Sequence, residues 1–366
     1  TQITQIEDKN LCNLWMLKEK NMSLHAEILE QTAVWQQSYT KNLEGVQAIA
    51  QAVPLDNIHH AFIAARGTSD NAARYASYLW GSLNQLPVTL ATPSLFSLYQ
   101  QPPRLRGALV IGISQSGQSP DIVNVVAEGK RQGQPTLAIT NEPNSPLAQT
   151  ADFVINIQAG VETAVAATKT YTSQLLAIAM LSAAWSQSEE RFGAIERLGE
   201  WGTAVLAHDE LIGQLAQRYR YMEQCVVLGR GYNYATAFEW SLKLKELTYV
   251  VAEPYSSADF RHGPIAIVER GFPVMAIAPA GAVLADMHDL LQKLASEKQA
   301  ELLIISNDAA TLGLANSPIP LPADLPEWLS PLVSIVPAQL FAYHLTGVKG
   351  YNTEAPRGLN KVTRTT

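Results

Sequence analysis

The chain contains an internal repeat, and this feature constrains its fold more than any other. An apolar segment that ends in Arg-Gly occurs at residues 60–67 and again at residues 226–231. Two further strand-like segments, each followed by a glycine or an asparagine, recur in the same order. The corresponding residues and their spacings are Gly67 and Gly231 (164 positions), Gly117 and Gly281 (164 positions), and Asn141 and Asn307 (166 positions). Because three segments recur in register, the sequence predicts a duplicated domain.

Each copy alternates short strand-like segments with stretches of helical periodicity. Residues 70–85 and 121–131 are helical stretches of this kind, and each follows an apolar segment. The alternation is typical of βαβ units in a parallel sheet. The sequence therefore predicts an α/β protein with two tandem, doubly wound parallel sheets. We expect ligands to bind beyond the carboxyl ends of the strands, in the loops after Ala65, Ile113 and Leu228.

The predicted domains follow from the positions of the two copies. They are an N-terminal helical segment at 1–55, a first α/β domain at 56–190, a helical linker at 191–220, a second α/β domain at 221–345 and a polar C-terminal tail at 346–366.

Composition and charge exclude several classes of function. With 47% hydrophobic and 16% charged residues, the chain has the composition of a globular protein with large cores. Its formal net charge of −7 leaves no basic surplus for nucleic acid or an anionic membrane. The apolar run at 175–185 is shorter than the roughly 20 residues of a spanning helix. Without a recognisable signal peptide, and with only Cys12 and Cys225, we expect a soluble, cytoplasmic protein.

One loop of the first copy has the features of a phosphate site. Residues 114–120 read Ser-Gln-Ser-Gly-Gln-Ser-Pro, between an apolar strand and a predicted helix. Ser119 is the predicted N-cap and Pro120 the first helical residue, so hydroxyls and backbone N–H groups face one point. These donors and the helix dipole would stabilise a phosphate without any Lys or Arg. Residues 66–70 repeat the pattern one strand away.

Two observations bear on whether this loop binds a ligand. An isolated Ser-Gly turn usually only caps a helix, but two such turns at successive strand ends favour a ligand site. The second copy has Pro-Ala-Gly at 279–281, where the hydroxyls are missing. We therefore expect phosphate only in the first copy.

Six motifs carry a resemblance to a known family. In chain order they are Gly67-Thr-Ser69, Ser114-Gln-Ser-Gly117, Ala166-Ala-Thr-Lys169, Leu242-Lys-Leu-Lys-Glu246, His262-Gly-Pro264 and Pro356-Arg-Gly-Leu-Asn-Lys361. Through them the chain resembles the tandem sugar-isomerase (SIS) family, whose domains are flavodoxin-like three-layer sandwiches. From about residue 22 onward it is similar to the isomerase half of glucosamine-6-phosphate synthase. Through residues 253–260 and 361–365 it looks closest to SIS-type glucosamine-6-phosphate deaminases.

The loop pattern and the resemblance together predict a sugar-phosphate site. The predicted substrate-binding residues are Gly67, Thr68, Ser69, Ser114, Gln115, Ser116, Ser119, Ala167 and Lys243. Compared with the synthase pattern, Ser119 replaces a Thr and keeps a hydroxyl, whereas Ala167 replaces a Ser and lacks one.

The resemblance implies that Glu246 is the base that moves a proton between C1 and C2 of the open-chain sugar. Its predicted helix also carries Leu244 and Leu247, so we expect apolar neighbours around the carboxylate. Glu239, Lys243 and Glu246 are spaced to share one helix face, and spacing alone equally fits an exposed ladder of ion pairs.

Two further catalytic candidates follow from the resemblance. His262 would open the sugar ring by proton exchange with the ring oxygen, a task that suits a group titrating near neutrality. Because the corresponding loop in the synthase is lent by the neighbouring subunit, we expect a homodimer with His262 donated across the interface. Lys361 would lie beside the carbonyl once the tail folds over the sugar, where its amine allows a Schiff base.

The predicted activity is hydrolytic deamination of glucosamine 6-phosphate to fructose 6-phosphate and ammonia. Glutamine is not expected to be the nitrogen donor, because neither cysteine has the context of a glutaminase nucleophile.

The remaining histidines lack metal-ligand spacing, so no metal or cofactor is expected. These are His25, His59, His60, His208, His288 and His344. The alternatives are an isomerase or deaminase for another phosphorylated amino sugar, such as galactosamine 6-phosphate, and a non-catalytic sugar-phosphate sensor.

Overall fold

The computed structural model describes residues 23–361 and contains two five-stranded sheets, both wholly parallel. The strands are β1 (His60–Ala64), β2 (Val88–Leu90), β3 (Ala108–Ile113), β4 (Thr136–Thr140), β5 (Phe153–Asn156), β6 (Gln224–Gly229), β7 (Val251–Ser256), β8 (Pro273–Ile277), β9 (Glu301–Ser306) and β10 (Ser317–Pro320). The first sheet has the order β2-β1-β3-β4-β5 and the second the equivalent order β7-β6-β8-β9-β10. The predicted duplicated α/β fold is confirmed.

The helices surround both sheets and connect them. They are α1 (Ser23–Leu29), α2 (Gln31–Ala52), α3 (Thr68–Asn84), α4 (Ser94–Ser97), α5 (Pro120–Arg131), α6 (Pro146–Thr150), α7 (Lys169–Trp185), α8 (Glu189–Glu196), α9 (Leu198–Leu206), α10 (Asp209–Arg218), α11 (Tyr234–Lys243), α12 (Ser257–Arg261), α13 (Leu284–Ser296), α14 (Ala309–Leu312) and α15 (Ser330–Val348). Short 3₁₀ turns occur at Leu55–Asn57, Gly231–Asn233, Pro264–Ile267 and Glu327–Leu329, and a π-helical turn at Leu244–Thr248.

The central strands are buried on both faces because helices cover both sides of each sheet. Every residue of β3, β4 and β8 is buried. Parallel strands covered in this way need nearly continuous apolar sequence, as in the run Ala-Leu-Val-Ile-Gly-Ile of β3. This requirement explains why the strand segments were visible in the sequence.

Two helices lie in the middle of the molecule and join the two sheets into one body. Nearly every residue of α7 and α15 is buried, which explains why both are apolar on all sides. The segment Glu327–Val348, which includes α15, is long and apolar enough to cross a membrane, but 78% of its most apolar window is buried inside the protein. We therefore interpret α15 as a core helix.

The predicted helix boundaries need small corrections near the two predicted phosphate loops, residues 66–70 and 114–120. α5 begins at Pro120, as predicted, whereas α3 begins at Thr68 rather than at residue 70. The backbone of Gly67, with φ of +54°, turns the chain sharply from β1 into α3. Thr68 and Ser69 thus belong to the first helical turn.

Candidate active site

A pocket of about 340 Å³ opens at the carboxyl ends of β1 and β3. Its lining comes from five parts of the chain: the two predicted phosphate loops, the loop before α7, the end of α11 with its π-helical turn, and the C-terminal tail. The residues are Arg66, Gly67, Thr68, Ser69, Ile113, Ser114, Gln115, Ser116, Ser119, Ile122, Glu162, Val165, Ala167, Lys243, Glu246, Leu359, Asn360 and Lys361. The set includes every predicted site residue except His262.

The loop after β3 is held in shape by two hydrogen bonds and by a glycine. The backbone N–H of Gly117 donates to Ser114 Oγ at 3.1 Å, and that of Asn141 donates to the carbonyl of Gln115 at 3.1 Å. Gly117 has φ of +59°, and a Cβ there would lie 2.1 Å from Ser145 Oγ. Glycine is therefore required for the tight turn that brings the loop hydroxyls to the pocket.

Within the described residues, the hydroxyls of this loop make few hydrogen bonds to the protein. Ser119 precedes α5, as predicted, but its side chain makes no capping hydrogen bond within the described residues. Ser116 Oγ accepts one long hydrogen bond, of 3.4 Å, from the backbone N–H of Gln118. Because the N-termini of α3 and α5 both border the pocket, the helix dipoles favour an anion beside these hydroxyls.

Arg66 adds a cation that the sequence analysis did not include. Its Nε donates to Asp121 Oδ2 at 2.8 Å, and its side chain is half exposed while that of Asp121 is fully buried. The buried carboxylate thus fixes an arginine at the edge of the pocket. A phosphate bound in this pocket would have a guanidinium nearby as well as hydroxyls.

One charged network lies at another edge of the pocket and consists of Glu239, Lys243 and Glu246. Lys243 Nζ lies 2.6 Å from Glu246 Oε2 and 3.3 Å from Glu239 Oε1. Glu239 also accepts hydrogen bonds from Thr68 Oγ1 at 3.0 Å and from Asn71 Nδ2 at 2.8 Å. Since Glu239 and Lys243 are buried, the alternative of an exposed ladder is wrong. The network joins the second domain to the phosphate loop of the first.

Burial and the neighbouring charges shift the pKa values of Lys243 and Glu239 in this network. Burial by itself lowers the pKa of Lys243, but the carboxylates of Glu246 and Glu239 outweigh it, so the net pKa is raised and the amine stays protonated. Burial raises the pKa of Glu239, against the opposing effects of Lys243 and Asn71. The Glu246 carboxylate, for which the sequence predicted apolar neighbours, is paired with the Lys243 ammonium.

The backbone that carries Glu246 is a π-helical turn rather than a regular α-helix. α11 ends at Lys243, and the chain continues as the π-helical turn to Thr248. Tyr249 then ends the turn in the left-handed region, with φ of +58°. π-helical turns inside helices are frequent at functional sites, because the wider turn redirects side chains.

The C-terminal tail reaches the pocket through two anchors. Arg357 stacks its guanidinium 3.7 Å from the ring centre of Tyr249, and its backbone N–H donates to the Tyr249 hydroxyl at 2.9 Å. Further along, Lys361 Nζ donates to Glu162 Oε2 and to the carbonyl of Ala164, both at 2.6 Å. The tail therefore packs against both the π-helical turn and the loop before α7.

Glu162 is the pocket residue that the sequence analysis most clearly missed. Its buried carboxylate accepts hydrogen bonds from the backbone N–H groups of Thr168 at 2.9 Å and Thr170 at 3.1 Å, at the start of α7. The repeat contained a signal for it, since Glu327 lies 165 positions later, after the last strand of the second sheet. Glu327 Oε2 accepts from the backbone N–H of Ala282, in the loop that corresponds to the phosphate loop.

His262 is exposed and lies outside the pocket of its own chain. It follows α12 in the second domain. The structure thus brings Glu246 and Lys361 together with the phosphate loops but leaves His262 apart. Chemically, the pocket offers an anion site, a carboxylate beside an ammonium, and a lysine on a tail.

In a comparison with known proteins, one family model matches both domains. The family model described as "SIS domain" matches residues 55–184 and again 220–349. Glutamine–fructose-6-phosphate aminotransferase (isomerizing) of Pyrococcus horikoshii is 33% identical over 343 residues, which is 92% of this chain and 56% of that protein. The chain thus spans about half the length of this relative.

Solved structures agree with the sequence matches. The C-terminal domain of glucosamine-fructose-6-phosphate aminotransferase from Francisella tularensis superposes with a TM-score of 0.83 at 27% identity, covering 91% of this chain and 98% of that one. A glucosamine-6-phosphate deaminase from Thermotoga maritima has a TM-score of 0.72 at 20% identity, covering 94% and 100%. The second likeness shows a shared fold.

Proposed function

This chain belongs to the SIS domain family, and from that membership and its pocket we propose that it isomerises a hexose 6-phosphate between C1 and C2. The specific reaction we propose is hydrolytic deamination, in which glucosamine 6-phosphate and water give fructose 6-phosphate and ammonia. The observation that carries the proposal is that one pocket contains the phosphate loops, Glu246 and Lys361. Its volume of about 340 Å³ suits a small polar ligand.

In the proposed complex the phosphate binds to the loop at residues 114–119, at the N-terminus of α5, and to the Ser69 loop. The sugar then extends toward the opposite edge of the pocket, where Glu246 and Lys361 lie. Ring opening moves a proton from the C1 hydroxyl to the ring oxygen. We propose that His262 of a second subunit carries out this step, as the family resemblance implies. Its exposed position outside the pocket of its own chain is compatible with that role.

Glu246 then takes the proton from C2 of the open-chain aldehyde while the C1 oxygen gains a proton, which leaves an enol that bears the amino group. Return of the C2 proton from Glu246 to C1, with loss of one proton from the amino group, gives a ketimine at C2. The Lys243 ammonium lies 2.6 Å from the carboxylate of Glu246 and holds that carboxylate at the pocket. Addition of water to C2 and loss of ammonia complete the reaction, so atoms and charge balance.

Lys361 is proposed to act on the oxygen or carbon of the reacting carbonyl. Two acceptors, Glu162 and Ala164, hold its amine at the pocket. A hydrogen bond from Lys361 would stabilise negative charge on the C1 oxygen, whereas attack by the amine would form a Schiff base. Borohydride trapping with substrate distinguishes the two roles, because only the Schiff base is reduced to a stable adduct.

The second candidate function is isomerisation without deamination, or the same chemistry on another amino sugar such as galactosamine 6-phosphate. It is favoured by Ala167, which lines the pocket without the hydroxyl expected in the synthase pattern, so one sugar contact differs. A non-catalytic sensor is the third, and the retention of Glu246 and Lys361 in one pocket argues against it.

The test is to incubate purified protein with glucosamine 6-phosphate and to measure ammonia and fructose 6-phosphate together. Equal amounts of both products, absent with Glu246→Gln, support the deaminase. Glucosamine 6-phosphate left unchanged, with fructose 6-phosphate and glucose 6-phosphate interconverting, supports the isomerase. Binding of either sugar phosphate without turnover supports the sensor. The reverse mixture of fructose 6-phosphate and ammonia checks the same active site in the aminating direction.

A further inference from the structure

A second cluster of chemically active side chains lies where helices α1, α10 and α15 meet. His25 Nε2 is 2.8 Å from Asp209 Oδ2, and His344 Nε2 is 2.6 Å from Asp209 Oδ1. The three ligand atoms all lie within 4.8 Å of one another. They come from positions far apart in the sequence, which explains why spacing gave no indication of a metal site.

We propose that His25, Asp209 and His344 bind a divalent transition-metal ion, most suitably Zn²⁺. Two imidazole nitrogens and one carboxylate oxygen are a ligand set that Zn²⁺ favours, with an open fourth position for water. In a tetrahedral site of this kind, neighbouring ligand atoms are about 3.3 Å apart, given metal–ligand distances of about 2 Å. On binding, the two His–Asp distances would therefore lengthen by about half an ångström, while a pair of ligand atoms as far apart as 4.8 Å would close by about 1.5 Å.

The rings are held in place by their surroundings. His25 stacks on the Tyr343 ring, with 4.8 Å between ring centres and 16° between planes. His344 lies over Gly213, where a Cβ would come within 3.2 Å of its Cε1 atom. Such packing orients both imidazoles before any ion arrives, which lowers the entropic cost of binding.

Solvent has access to the cluster. The side chains of His25, Asp209 and His344 are 14%, 28% and 25% exposed. A surface cavity of about 420 Å³ borders His344 and is lined on its other side by the start of the tail, Tyr351 to Thr353. This cavity provides an entry path and room for a water ligand.

A bound ion would also stabilise the wall of the active-site pocket. α1 carries both His25 and Glu27, and the Glu27 carboxylate accepts hydrogen bonds from the backbone N–H groups of Thr163, at 2.5 Å, and Ala164, at 3.3 Å. These residues adjoin Glu162 in the pocket. An ion that fixes α1 therefore fixes the loop on which Lys361 is anchored.

The test uses the full-length protein freed of metal with a chelator and then titrated with Zn²⁺ alone. We expect one Zn²⁺ per chain with a dissociation constant below about 10 µM, and a rise in Tm of about 3 to 6 °C at saturation. Co²⁺ in the same site should give the visible absorption of a four-coordinate ion. Absence of binding in the wild-type protein at that concentration overturns the proposal without any variant.

Two substitutions, Asp209→Asn and His344→Gln, test whether the ion binds at this cluster. Each should weaken Zn²⁺ binding at least about 100-fold, whereas His288→Ala, which removes a partly buried histidine bonded to Thr311 outside the cluster, should not. Wild-type Zn²⁺ affinity in both cluster variants would place the ion elsewhere and overturn the assignment. Circular dichroism of the metal-free variants verifies that they are folded.

Discussion

Lys361 donates a hydrogen bond of 2.6 Å to Glu162, which lies 199 positions earlier in the chain. The Glu162 side chain is wholly buried, while that of Lys361 is 24% exposed. A buried carboxylate needs partners that offset its lost hydration. Glu162 finds them in the start of α7 and in the tail, so one of the two anchors of the tail is a buried charge.

Glu162→Gln should loosen the tail without unfolding the first domain. The amide oxygen still accepts from the backbone at the start of α7, but the ion pair with Lys361 is lost. We expect kcat to fall roughly 10- to 100-fold, as misplacement of a catalytic group does. Steady-state kinetics measure this, with Glu327→Gln, the repeat-equivalent substitution outside the pocket, as the control. A variant with wild-type kcat would show that the ion pair has no part in catalysis.

Glu246→Gln should abolish turnover and leave substrate binding nearly intact, because the amide keeps the shape but cannot accept a proton. The expected loss in kcat is at least 10²- to 10⁴-fold, the usual contribution of general-base catalysis. Solvent deuterium should no longer enter the product at C1. Glu253→Gln, which alters an exposed glutamate of β7, is the control. Exchange at the wild-type rate would identify another group as the base.

Ser116→Ala should raise KM and change kcat little, since in the proposed complex the hydroxyl contacts the phosphate and not the reacting carbons. Loss of one charge-assisted hydrogen bond corresponds to about 1–3 kcal/mol. The exposed Ser296→Ala, in α13, is the matched control. Sugar-phosphate titration by calorimetry checks the binding directly. An unchanged KM and affinity would argue against a phosphate at this loop.

Deletion of residues 356–366 should leave a folded protein that binds substrate but has lost most of its rate. The removed segment includes both Arg357, which stacks on Tyr249, and Lys361. Lys361→Ala alone should reproduce the loss almost fully if the amine acts on the carbonyl. Near wild-type kcat in the point variant, together with an inactive truncation, would show that the tail serves only to exclude water.

Cys225 should resist thiol reagents in the folded protein. Its side chain is buried in β6, and burial raises the pKa of the thiol to about 12. Because this pKa exceeds the unfolded value of about 8.5, the thiol's contribution to stability is complete below that pH and is lost as pH rises toward 12. In a Cys12→Ser background, Ellman's reagent at about pH 8 should label Cys225 only after unfolding. Stoichiometric labelling of folded protein would contradict the assigned burial.

The fold and much of the pocket were predictable because their signals are local. A buried parallel strand requires a short apolar run, and a phosphate loop requires a strand, a glycine turn and a helix start within a few residues. Both signals recur along this chain, so the two sheets and the Ser114 to Ser119 loop followed from the sequence. The motif positions of Glu246 and Lys361 came from the family resemblance, and the pocket contains both.

Only the tertiary structure decided which distant segments of the chain make contact. The pairing of Lys361 with Glu162 and the meeting of His25 with Asp209 and His344 join residues more than a hundred positions apart. The sequence also placed Glu246 on a regular helix among leucines, whereas the folded chain carries it on a π-helical turn beside Lys243. Periodicity reports which face of a segment is buried, but not which charged groups from other segments are packed against it. That choice is made when α7, α11 and the tail are assembled, because each buried charge must then find its partner.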